Sequence, residues 1–147
     1  MTFKIRFKDR VFEWWLASGT AGFGWFVIMP PPSMDSPAYS QLVEWFSEAY
    51  WGFFFLATGI LHLTALVING RRWWTPIVRS FTTALNTFAY VFLAFGFFQT
   101  DPWSTAVFSY APMIGSAALI CFFRAMKDTR HAIVNRQRGH VRKGAVE

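Results

Sequence analysis

The sequence predicts an all-α polytopic membrane protein. One domain, residues 1–147, carries four transmembrane helices with both termini inside (N-in/C-in) and a short amphipathic helix outside. Three observations lead there. The chain is 54% hydrophobic and 20% aromatic but only 15% charged, with eighteen Phe and eight Trp in 147 residues. One water-facing core of this size cannot bury so much aromatic surface, so the remainder faces lipid. Four apolar stretches, about 11–29, 50–69, 75–98 and 105–123, are separated by breaker residues, and each approaches the ~20 residues that cross a hydrocarbon core of ~30 Å. All fourteen Lys and Arg fall in three blocks: residues 4–10; Arg71, Arg72 and Arg79; and Arg124 onward. The two other loops hold none. The positive-inside rule then puts both termini and the middle loop in the cytoplasm of a bacterium, the chain lying in its inner membrane.

The net charge of +6 has the same origin. Its cations flank apolar segments, as they do where a chain meets anionic lipid headgroups, and a nucleic-acid partner is excluded on that pattern. Cys121 is the single cysteine and lies in an apolar run, which rules out an intramolecular disulfide and reads as a small buried hydrophobe. No cleavable signal peptide is expected, because the first apolar run ends in three prolines without a small-x-small site, so the first helix is retained as an anchor.

Residues 1–10 alternate Phe3, Ile5 and Phe7 with Lys4, Arg6 and Lys8, a pattern for an interfacial segment with aromatic groups in lipid and cations on the headgroups. The first span follows, with Glu13 near its start, Trp14, Trp15 and Trp25 towards its ends and Pro30 to Pro32 as its stop. Ser18 and Gly22 stand at small-xxx-small spacing and read as helix-packing positions, within the monomer or between copies. The outer segment is acidic, with Asp35, Glu44 and Glu48. Ser36 as N-cap and Pro37 at the first position begin a short helix there, its apolar residues Tyr39, Leu42, Val43 and Phe46 at helical spacing.

The second span carries His62 near its middle and ends at Asn69-Gly70, where Gly70 supplies the left-handed residue that closes a helix. Arg71 and Arg72 follow as headgroup contacts. Thr75 as N-cap and Pro76 start the third span, from which Arg79 can snorkel back to the surface. Deeper in it lie Asn86 and Thr82, Thr83 and Thr87. Asp101-Pro102 breaks the chain into an outer turn with Trp103 as anchor. The fourth span is interrupted by Pro112, which predicts a kink, and Ala111, Gly115 and Ala118 form a small-residue packing stripe. From Arg124 and Lys127, read as headgroup contacts, residues 124–147 form a basic cytoplasmic tail, a helical stem fraying at its end.

Few residues could carry chemistry. His62 is the one ionisable group placed deep in a span, either hydrogen-bonded to Thr58, Thr64 or Asn86 or functional in its own right. Asn86 with Thr83 and Thr87 forms a polar stripe, serving interhelical hydrogen bonds or lining a water-filled face when copies assemble. No metal-binding, phosphate-binding or paired-carboxylate motif is present, so no catalytic residue, metal or cofactor is expected and the chain is not expected to be an enzyme.

The stretch 63–79, with Ala65, Leu66, Asn69, Gly70, Arg72, Pro76 and Arg79, and a weaker echo at Arg124, Ala125 and Asp128, resembles a group of small four-helix membrane proteins of tailed phages and prophages of proteobacteria. The resemblance covers about half of the chain. It implies a phage-type inner-membrane protein, and some proteins of this look are taken for holins. Two functions are open on this reading. One is holin-like permeabilisation by a homo-oligomer, with the Asn86 stripe turned to a lesion. The other is a non-catalytic accessory subunit or superinfection-exclusion factor, which docks a membrane-protein partner through the outer helix or the basic tail.

Overall fold

The computed structural model describes residues 10–68 and 74–144, with side chains as far as residue 134. The interfacial segment before Arg10, the Asn69-Gly70 helix end, and Arg71 and Arg72 lie outside the described residues. What is described is all-helical. The helices are α1 (Val11–Ile28), α2 (Ser40–Trp45) entered through a 3₁₀ turn (Pro37–Tyr39), α3 (Glu48–Ile68), α4 (Thr75–Thr100), α5 (Thr105–Phe108), and α6 (Ser116–Gly144), with a π-helical stretch, Ser109–Gly115, joining the last two.

Among the described residues three helices are long and apolar enough to cross a membrane: α3, α4 and the last helix over Thr105–Val134. The expected first span, α1, has 18 residues and is not among them, because Glu13, three tryptophans, three glycines, Ser18 and Thr20 dilute its hydropathy. It nevertheless packs antiparallel against α3 along most of its length. Backbone approaches backbone there. A Cβ built on Gly24 would strike the Leu56 nitrogen and lie 2.7 Å from the Gly52 carbonyl oxygen, and one on Gly59 would strike the Ala21 nitrogen and lie 2.6 Å from its Cα. The small residues that matter for packing are therefore Ala21, Gly24, Gly52 and Gly59. The predicted pair Ser18 and Gly22 is exposed, and Gly22 has no atom within 4 Å of such a Cβ, since the helix rotates its glycine-lined face one step away from that register.

Helix α4 is the hub and the most buried of the three long helices, the last helix the least. Tyr90, Leu93 and Phe97 of α4 join Leu16, Phe55 and Cys121 in the core. Its N-cap is Trp74, so the helix begins at Thr75 with Pro76 in its first turn, one residue ahead of the predicted start. Antiparallel to it, the last helix passes Pro112 through the π-helical stretch. The wider turn relieves the clash of the ring with the preceding turn, and Ser116 Oγ donates to the Pro112 carbonyl, so the predicted kink becomes a local change of helix type. Gly115 and Ala118 are buried and Ala111 half-buried, as their stripe predicts. The helix continues to Gly144 with Ala125 fully buried. The tail boundary at residue 124 is therefore not a break in structure.

The segment between α1 and α3 folds back onto the bundle. Ser36 caps the 3₁₀ turn, its oxygen accepting from the Ala38 amide at 3.5 Å. Leu42 of α2, 0% exposed, fits the notch left by Gly96. Trp51 Nε1 donates to the Leu42 carbonyl at 3.0 Å, and Trp45 lies 4.8 Å from Phe92 between ring centroids. Glu48 Oε1 ties down the loop before it, accepting from Ser33 N at 2.6 Å, Ser33 Oγ at 2.7 Å and Met34 N at 3.2 Å. Replacing Glu48 with Ala should cost about 1–3 kcal/mol, because two backbone donors lose a charged acceptor. Limited proteolysis should then cut residues 30–36 in the variant at a protease level that leaves the parent chain intact.

Candidate functional site

Two polar sites lie inside the bundle, at different depths. The first is an ion cluster at the basic end. Arg79 stands four residues into α4, about 6 Å along its axis, and is 1% exposed. Its Nε donates to Glu13 Oε2 at 2.8 Å and its Nη2 to Glu13 Oε1 at 2.6 Å, the two-pronged geometry in which a planar guanidinium holds a carboxylate best. The third nitrogen, Nη1, donates to Asp128 Oδ2 at 3.1 Å, and Arg10 Nη2 reaches the same oxygen at 3.2 Å. Two cations and two anions thus close a neutral cluster joining α1, α4 and α6. Next to it, Ser80 and Thr129 share a hydroxyl contact at 3.0 Å.

The predicted snorkelling of Arg79 to the headgroups is corrected by this geometry. With Glu13 only 2% exposed on the facing helix, turning Arg79 outward would leave a buried carboxylate unpaired, which costs far more than leaving the guanidinium inside. Glu13 and Asp128 carry no role in the hydropathy reading. Electroneutrality points to them: an acid within the apolar run of α1 and a base within that of α4 need one another.

The second site is at mid-depth. His62 of α3 and Asn86 of α4, both 0% exposed, bring His62 Nδ1 within 3.5 Å of Asn86 Nδ2, one of the pairings that the sequence predicts. Thr83 and Thr87 do not join them. The Thr83 hydroxyl donates to the Arg79 carbonyl at 2.7 Å and that of Thr87 to the Thr83 carbonyl at 2.9 Å, so both serve their own helix. A shell further out, Thr20 Oγ1 and Tyr90 Oη meet at 3.1 Å and tie α1 to α4. Within the monomer Thr82, Thr83 and Asn86 are all 0% exposed, and Thr87 is half-buried. Of the other predicted positions, Arg124 and Lys127 are exposed.

Chemically, the arrangement holds helices together. The carboxylates of Glu13 and Asp128 are engaged by guanidinium groups, and among the described residues no group of three or more His, Cys, Asp or Glu could hold a metal ion. Between α3 and α4 an apolar groove of about 520 Å³ is walled by Tyr50, Trp51, Phe54, Phe88, Ala89 and Phe92, part of the aromatic outer surface. No protein-family model, curated protein or solved structure matches the chain.

Proposed function

We propose that the chain is a non-catalytic interaction subunit of a bacterial inner membrane, a four-span bundle with both termini cytoplasmic, which presents the end of its last helix to a partner protein. The observation that carries this reading is the length of α6. Asp128 and Thr129 are level with Arg79 and Ser80, so in an antiparallel pair Thr75, where α4 begins, is level with about residue 134. Residues 135–144 continue the helix for about 15 Å past that level.

Membrane depth fits. From Thr105, two residues past Trp103, which is 94% exposed, to Arg124 is about 29 Å of helix, close to the ~30 Å thickness of a hydrocarbon core. Arg124 and Lys127 then meet anionic headgroups. Arg136, Arg138, Arg142 and Lys143 stand on the projecting part of the helix, the distal pair farther from that surface than the Debye length of about 8 Å at physiological salt. The outer helix offers a smaller apolar face, because Leu42 and Trp45 already pack on α4 and leave Val43 and Phe46 exposed. The holin-like alternative would have to open the bundle to bring Asn86 to a lesion. A phage- or prophage-type origin belongs to the same proposal and rests on the hairpin pattern of Asn69, Gly70, Arg72, Pro76 and Arg79.

The test compares the whole chain with a version ending at residue 134, both expressed in bacteria. A photocrosslinker at position 138 is expected to give a discrete protein adduct, which disappears when Arg136, Arg142 and Lys143 are changed to Gln. The shortened chain should unfold at the same temperature in detergent as the whole one. High expression of either should leave the membrane potential intact. Depolarisation and growth arrest by the shortened chain would reject the subunit reading in favour of a pore.

A further inference from the structure

His62 and Asn86 satisfy each other only in part. Beyond their mutual contact, His62 Nε2 and Asn86 Oδ1 are both buried and have no hydrogen-bond partner among the described residues. Polar atoms buried this deeply in a native protein are as a rule paired, with protein or with an ordered small molecule.

The chemistry of the pair selects the guest. If Asn86 Nδ2 donates to His62 Nδ1, the proton of the neutral imidazole is on Nε2. A donor, Nε2–H, and an acceptor, Asn86 Oδ1, are then left over. With the amide turned over, Oδ1 accepts from Nδ1–H, and what is left over is an acceptor at Nε2 and a donor at Nδ2. Either way the pair offers at least one donor and one acceptor. A bare cation would need acceptors alone, and an anion donors alone. Water, which accepts and donates at once, matches both arrangements, and buried water usually makes two to four such bonds.

We infer that the His62–Asn86 pair is an internal hydration site, which holds water at mid-depth between α3 and α4. The site is independent of the partner reading above, since it needs neither a partner nor the projecting part of α6. Its surroundings make it local: along α3, Thr58 and Leu66, one turn to either side of His62, are each 5% exposed, and on α4 Leu93 is 0% exposed.

The whole protein, isotope-labelled in bilayers of phosphatidylcholine and phosphatidylglycerol, tests this by magnetisation transfer from water in solid-state NMR. The His62 ring and the Asn86 side-chain amide are expected to receive signal at short mixing times, whereas Phe55 and Leu93, equally buried, are not. Asn86→Leu should abolish the transfer to the His62 ring, and His62→Leu that to the Asn86 amide. Transfer to the His62 ring that is no faster than to Leu93 in the unmodified protein would overturn the inference, whether or not either variant folds.

Discussion

Arg79→Ala is expected to destabilise the bundle by about 3–5 kcal/mol, the range found when one partner of a buried ion pair is removed and the other is left without a counter-ion. The stranded group is the Glu13 carboxylate, 2% exposed and held by both of its oxygens. The second arm of the guanidinium matters less. The Asp128 side chain is 41% exposed, so solvent screens its attraction, and Asp128→Asn should cost about 1 kcal/mol or less. Removing both charges at once separates pairing from packing: Arg79→Met with Glu13→Leu should restore most of the stability lost in Arg79→Ala, because the desolvation of two charges is removed along with their attraction. Unfolding in detergent, followed for the single variants and the pair, reads all of this. Equal stability of Arg79→Ala and the parent chain would mean that the ion cluster does not hold α1 in place.

The second large effect belongs to glycines and changes sign along a single helix. Gly24→Ala and Gly59→Ala add a methyl group where the nearest atoms are the backbone of the facing helix, which cannot rotate aside as a side chain can. Each should destabilise by about 1–3 kcal/mol as α1 and α3 are pushed apart. Gly52→Ala should be milder than either, since its new methyl meets the Ile28 side chain at 2.6 Å and backbone only at 3.2 Å. Gly19→Ala and Gly22→Ala should do the opposite and stabilise by roughly 0.5–1 kcal/mol, the helix-interior preference for Ala over Gly, because nothing lies within 4 Å of the added atom. The same unfolding measurement checks the set. Destabilisation by Gly22→Ala in the monomer would contradict the packing described for α1.

How much was legible in the sequence differs from residue to residue. The cap at Ser36 and the buried Gly115 and Ala118 were legible, since each follows from a local rule of turn chemistry or helical spacing. Proximity of His62 and Asn86 was legible as one of three pairings, because two polar side chains at similar depth on adjacent antiparallel helices are drawn to each other in an apolar medium. Arg79 was misread as a snorkelling residue because its partners lie 66 and 49 positions away in the chain. No window of local sequence contains them. Ser18 and Gly22 lie off the face that packs on α3 for a related reason: small-xxx-small spacing identifies a face on which a backbone can approach, but α1 has two such faces, and only the neighbour decides which is used within the monomer.

The sequence by itself determined the environment of this chain and the helical segments within it. Both follow from how much apolar surface must leave water and from where charges and breakers interrupt it, which are additive properties of composition and order. The tertiary structure alone decided which polar residues meet: that Arg79 turns inward to Glu13 and Asp128, that α2 is spent on the face of α4, and that α6 continues as a helix past the end of its neighbour. Those outcomes depend on rotations and registers of whole helices, each set by shape and charge on a facing helix that the local sequence does not contain.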